Sequence, residues 1–191
     1  MKELWVEKYR PTTVDGYVFV DEAQRDQVQQ WIKDGSIPHL LLSGSPGTGK
    51  TTLAKMLINE LGVDEYDVMF ANGSKEGRKI EWVDKLISFC QTMPFGKFKV
   101  VLIDEADYLN PNSVQPAMRN LMEDYSQTVR FILTCNYPNK IIPPLHSRCQ
   151  GFHITKTDHT EFTARVATVL VTEGVQFDLD VLDSYVKATY P

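Results

Sequence analysis

The sequence of 191 residues predicts an α/β fold, a doubly wound parallel sheet of five strands followed by the start of a small helical domain. Three observations predict it. Short apolar runs alternate with helix-length segments from residue 39 to residue 155, the pattern of strand–helix–strand crossovers. The first apolar run passes through a glycine-rich octapeptide directly into a helix. After Thr155 two helical segments follow with no strand between them.

Each element carries its own signal. Residues 39–43 contain Leu40-Leu41-Leu42, apolar on both faces, as a strand buried in a parallel sheet must be. A helix is expected over residues 50–61. The second strand falls at 67–71, and Asn72-Gly73-Ser74 turns the chain toward a helix over 80–91. Residues 99–104, rich in valine, leucine and isoleucine and ending on an acidic pair, make the third strand. A helix over 112–125 accommodates Pro116 in its first turn, where a missing N–H costs nothing. The fourth and fifth strands are expected at 129–134 and 151–155. Beyond them, 158–173 and 178–189 read as helices joined near Gly174. The chain therefore divides into a domain over 1–155 and the start of a second over 156–191.

Composition narrows the function. The net charge of −5 gives no global attraction to nucleic acid, so any such contact needs a local basic patch. The longest apolar runs are far too short to span a bilayer, and Glu3 interrupts the N-terminus before any secretory signal could form. Cys90, Cys135 and Cys149 include no Cys-x-x-Cys pair, which favours reduced thiols in the cytoplasm over disulfides or zinc. The four histidines lack ligand spacing.

Residues 44–51, Gly-Ser-Pro-Gly-Thr-Gly-Lys-Thr, have the spacing of a phosphate-binding P-loop placed between a strand and a helix. Gly44, Ser45, Pro46, Gly47, Thr48, Gly49, Lys50, Thr51 and Thr52 are the expected nucleotide contacts. Gly47 and Gly49 let backbone N–H groups turn toward phosphate, and the helix N-terminus adds its dipole. Lys50 is expected on the β- and γ-phosphates, and the Thr51 hydroxyl on Mg²⁺. Val100-Val101-Leu102-Ile103-Asp104-Glu105 supplies the second half, with Asp104 toward Mg²⁺ and Glu105 placed to polarise an attacking water. Asn136, after the fourth strand, is positioned for the γ-phosphate or that water, although an asparagine before Tyr137-Pro138 also serves as a turn residue. Arg148 has two readings, an ordinary salt bridge or a cation for transition-state charge on its own or a neighbour's nucleotide.

The order of these motifs, with Asp104-Glu105-Ala106-Asp107 and Ser147-Arg148-Cys149, resembles the AAA+ ATPases of the clamp-loader group. Trp5-Val6-Glu7-Lys8-Tyr9-Arg10-Pro11 is similar to the N-terminal motif of replication factor C small subunits, and tailed-phage clamp-loader ATPase subunits resemble it too. The resemblance covers essentially the whole chain. It implies a P-loop ATPase active in an oligomer that uses ATP and Mg²⁺ to open a sliding clamp and hold primer–template DNA. The implied partners are other loader subunits, the clamp and DNA, with no membrane, in the cytoplasm or on the nucleoid of a host. It makes 1–155 the AAA+ nucleotide-binding domain and 156–191 part of a helical lid.

The same resemblance implies roles position by position. Val6, Tyr9, Pro11, Tyr17 and Val18 line an adenine pocket, where composition alone shows a packed N-terminal arm. Arg148 is the finger reaching the adjacent subunit's ATP. Gln115 and Arg119 lie on the helix coupling neighbouring sites, against the alternative of an exposed polar face. Lys75, Arg78 and Lys79 face DNA, and Lys79 links that contact to catalysis; without the resemblance they form a solvated charge run. Met93 and Phe95 either dock into the clamp or fold into the chain's own core. The family's lid arginine and its further C-terminal domain lie past Pro191, so a fragment or a split protein is expected. Two other readings remain: a DEAD-box-type helicase, prompted by residues 104–107, and a nucleotide-gated scaffold without turnover.

Overall fold

The strands are β1 (Leu40–Ser43), β2 (Val68–Asn72), β3 (Lys99–Asp104), β4 (Val129–Cys135) and β5 (Gln150–His153). All pair in parallel in the spatial order β2-β3-β4-β1-β5. This computed structural model describes residues 4–76, 81–155 and 159–189. β4 is thus inserted between the strand that feeds the P-loop and the strand that ends in the acid pair. β1 is buried along its whole length, which explains its three consecutive leucines.

The helices are α1 (Trp5–Lys8), α2 (Glu22–Asp34), α3 (Lys50–Glu60), α4 (Gly73–Glu76), α5 (Glu81–Gln91), α6 (Val114–Asp124), α7 (Pro143–His146), α8 (His159–Thr172) and α9 (Leu179–Thr189). Side chains alternate across the sheet and build two cores. Leu41, Val101, Ile103, Phe131 and Leu133 meet α5 and α6 on one face. Leu40, Leu42, Val100, Leu102 and Ile132 meet α2 and α3 on the other. Leu40, Leu42, Leu53, Leu57 and Leu102 are at most 1% exposed, and truncating any one to alanine costs about 2–5 kcal/mol. This double cover holds the carboxyl ends of the strands as a rigid rim.

The predicted strands all form, with ends shifted by a residue or two. β5 runs Gln150–His153 and not to 155, although Ile154 N–H still bonds Ser43 O at 2.7 Å. The helix expected from 112 begins at Val114, because the Asn110 side chain accepts the Asn112 N–H at 2.9 Å and holds those residues in a turn. Pro116 is its third residue, as the first-turn argument requires.

One long helix was not anticipated. α2 starts at an Asp21 N-cap that accepts the Gln24 N–H at 2.8 Å, and stops at left-handed Gly35. Val28 and Trp31 are its buried residues. No helix among the described residues is long and apolar enough to cross a membrane.

Candidate nucleotide site

The P-loop leaves β1 at its carboxyl end and delivers Lys50 as the first residue of α3. Its three glycines are individually required. A Cβ at Gly44 would stand 2.1 Å from the Ile154 carbonyl oxygen, a closeness that motif reading alone did not show. Gly47 and Gly49 adopt φ of 80° and 88°, open to glycine at little cost. The Lys50 ammonium is buried and donates to Gly44 O at 2.9 Å and Ser45 O at 2.7 Å. Burial pushes its pKa down, against the pull of Cys135, Asp104 and Asp107. Two of its three donors are thereby engaged, leaving one for an anion.

Asp104, at the end of β3, gathers two hydroxyls. Thr51 Oγ1 donates to Asp104 Oδ1 at 2.7 Å and Thr134 Oγ1 donates to the same oxygen. Thr134 also accepts the Glu105 N–H at 3.2 Å, so β4 braces both acids. Sequence reasoning missed Thr134; its placement one strand over, between the two halves of the motif, is a matter of strand order. Glu105 is the only non-glycine residue with positive φ among the described residues (55°), an uncommon conformation that costs on the order of 1 kcal/mol or more and that clusters at functional sites. Gly73 packs on it so closely that a Cβ there would lie 2.4 Å from Glu105 O.

Pro46, Lys50, Thr51, Asp104, Glu105, Thr134 and Asn136 line one cleft of about 190 Å³. The rim expected from the sheet topology therefore unites the P-loop, the acid pair and Asn136. Its donor set suits Mg²⁺, which takes one or two protein oxygens and completes its octahedron with phosphate and water. Thr51 and Asp104 supply such a hydroxyl and carboxylate.

A second cavity, of about 440 Å³, opens on the other side of the P-loop. Val6, Tyr9, Pro11, Tyr17 and Val18 line it, together with Gly47, Thr48, Gly49 and Thr52. The expected N-terminal group is therefore brought together. Its far wall was not foreseen: Phe162, Arg165, Val166 and Val169 of α8 face it, along with Trp5. Their i, i+3, i+4, i+7 spacing is the signal that could have found them.

Arg148 lies elsewhere. It precedes Gln150, which pairs with Leu40 at the amino end of β1, whereas the P-loop follows Ser43 at the carboxyl end. Its guanidinium donates to Pro144 O at 2.7 Å and pairs with Glu123 at the end of α6. It is thus on the opposite edge of the sheet from its own P-loop. Gln115 is fully buried and is not on an exposed face: its amide donates to Leu109 O and Lys140 O and accepts the Ile142 N–H. Arg119 on the same helix is exposed.

Lys75 is exposed on α4; Arg78 and Lys79 lie outside the described residues. Met93 and Phe95 are 80% and 81% exposed, which removes burial in the chain's own core as their role. The buried Asp67 carboxylate pins their loop by accepting the Phe95 and Gly96 N–H groups at 3.0 and 2.7 Å. Lys99 adds a bond to Phe89 O at 3.0 Å.

All three thiols are free. Burial pushes Cys90 and Cys135 up to about 11 and Cys149 up to about 12. The thiolate is the nucleophile, so iodoacetamide at pH 8 is expected to leave the folded chain unlabelled and to label all three on unfolding. Because folding raises these values, their contribution to stability is intact below about pH 9 and is lost as pH rises through 11 to 12. Mass spectrometry of native and urea-unfolded samples reads the labelling.

Residues 40–156, more than half of the chain, match the ATPase family associated with various cellular activities, AAA. The chain belongs to the AAA ATPase family. This AAA chain is 40% identical over 191 residues to the replication factor C small subunit of Sulfurisphaera tokodaii, an alignment covering 97% of the chain and 58% of that protein. It is 39% identical over 188 residues to the replication factor C small subunit of Archaeoglobus fulgidus, covering 96% and 58%. The chain thus spans about three-fifths of the length of the curated relatives it matches. In fold, it resembles the solved Thermotoga maritima RuvB Holliday junction branch migration motor, with a TM-score of 0.77 at 20% identity over 94% of this chain and 59% of that one.

Proposed function

We propose that this AAA chain is the ATP-hydrolysing motor part of a sliding-clamp loader subunit. On this reading residues 1–155 form the nucleotide-binding domain and 156–191 part of the lid. ATP binding opens the clamp and grips primer–template DNA, and hydrolysis releases both, in the cytoplasm. The observation that carries the reading is the pairing of a nucleotide cleft on one rim of the sheet with Arg148 on the opposite rim. That arrangement supports service to a neighbour's site, and the similarity to replication factor C small subunits supports the class of that neighbour.

The geometry supports a role for each part. The spare Lys50 donor meets the β- and γ-phosphates, and Thr51 with Asp104 holds Mg²⁺. Glu105 takes the proton from the attacking water and Asn136 orients it. Val6, Tyr9, Pro11, Tyr17 and Val18 enclose the adenine. Gln115 joins the turn after Glu105 to the loop leading to Arg148, which is the route by which it and Arg119 would couple adjacent sites. Lys75, with Arg78 and Lys79, contacts the DNA backbone. Met93 and Phe95, on their pinned loop, enter an apolar pocket on the clamp.

The ATPase rate of the full-length complex, measured with and without clamp plus primed DNA, tests this. Stimulation by the two together is the expected result, and a rate indifferent to both would overturn the reading.

A further inference from the structure

Two walls of the larger cavity come from segments far apart in sequence, and one carboxylate joins them. Glu173 follows the last residue of α8, and its Oε1 accepts both the Tyr9 hydroxyl and the Lys8 ammonium at 2.6 Å. Lys8 also lies over the Tyr9 ring, 5.2 Å from its centroid. Tyr9 lines the cavity from the N-terminal side, and Val166 and Val169 line it from α8. Glu173 N–H bonds Val169 O at 3.0 Å, which fixes the carboxylate relative to that wall, and left-handed Gly174 then turns the chain away.

α1 has little else to place it. It is four residues long, buries no residue, and among the described residues its other ion pair, Glu7 with Arg10 just beyond it, is local. A helix so short has no stability of its own and takes its position from tertiary contacts. The bond to Glu173 therefore sets where the Tyr9 ring stands.

We infer that Glu173 is a positioning residue for nucleotide binding, a clasp between α8 and the N-terminal arm that holds Tyr9 against the base-side cavity. The inference rests on the reading of that cavity as the place of the nucleotide base. An exposed ion pair alone stabilises a fold little, so the clasp acts through the geometry of the wall rather than through overall stability.

Calorimetry on the 191-residue chain with two probes, ATP and inorganic tripolyphosphate, tests it. Tripolyphosphate engages the P-loop but has no base. Glu173→Ala and Tyr9→Phe are each expected to weaken ATP roughly three- to tenfold, the effect of one lost hydrogen bond, and to leave tripolyphosphate unchanged. The double variant is expected to lose no more than Glu173→Ala alone, because the bond that Tyr9→Phe removes is already absent there. Glu173→Gln, which keeps an acceptor for Tyr9, is expected to recover part of the loss.

Additive losses, or equal losses for both probes, would overturn the clasp while leaving the cavity reading standing. Equal affinity of the parent chain for ATP and tripolyphosphate would overturn the cavity reading and the clasp with it. Thermal unfolding of each variant separates a positioning effect from a folding defect.

Discussion

Replacing Arg148 with alanine is expected to leave the affinity of the isolated chain for ATP within about twofold and to slow hydrolysis in the assembled complex by roughly a thousandfold, the lower end for an arginine finger. The asymmetry comes from topology. Gln150 pairs with Leu40 and His153 with Ser43, so Arg148 stands before the first residues of two strands whose last residues meet the P-loop. Four residues of strand at about 3.3 Å each, plus the loop at either end, separate the guanidinium from its own phosphates. No rotamer crosses that sheet. A thousandfold corresponds to about 4 kcal/mol of transition-state stabilisation. The half-exposed pair with Glu123 contributes at most about 1 kcal/mol to folding, so the variant should fold normally. Steady-state ATPase assays on the assembled complex and on a confirmed monomer make the comparison. An equal loss in the monomer would show Arg148 acting on its own nucleotide.

Glu105→Gln is expected to preserve ATP binding and reduce turnover in the assembled complex by a factor on the order of 10² to 10⁴, the span of general-base contributions. Glutamine keeps the shape of the side chain and cannot accept a proton. The backbone contacts survive the change, since it is the Glu105 N–H that bonds Thr134 and the Glu105 carbonyl that packs against Gly73. Neither residue prefers the left-handed conformation observed there, so thermal stability should move little. Single-turnover hydrolysis beside equilibrium ATP binding separates the two effects; unchanged turnover would remove Glu105 from the role of base. Asp104→Asn would be a poorer test, because Asp104 organises two hydroxyls at once and its loss would disturb binding and turnover together.

What could be read from the sequence was what is encoded locally. The Gly44–Thr51 octapeptide and the apolar run into Asp104-Glu105 each specify strand, turn and chemistry within a few residues, and the structure places them on one rim. α2 had legible ends in Asp21 and Gly35, but only two buried residues in thirteen, so its apolar stripe was faint. Thr134 depends on strand order, which no local pattern contains; the α8 stripe of Phe162, Arg165, Val166 and Val169 was legible, but what it faces depends on how that helix packs. The position of Arg148 was equally hidden. Its motif was visible, yet its place on the rim opposite the P-loop needed the register of β5 against β1.

That register has a consequence in numbers. If Arg148 serves an adjacent subunit's nucleotide, a subunit with a phosphate cradle on one rim and a guanidinium on the other would meet its neighbours head to tail, so the same patch would never face itself. With Arg148 as the finger, a closed ring completes as many nucleotide sites as it has members. An open spiral completes one fewer, with a bare cradle at one end and an idle arginine at the other. The break in the circle is then written in the stoichiometry of competent sites before any partner is added.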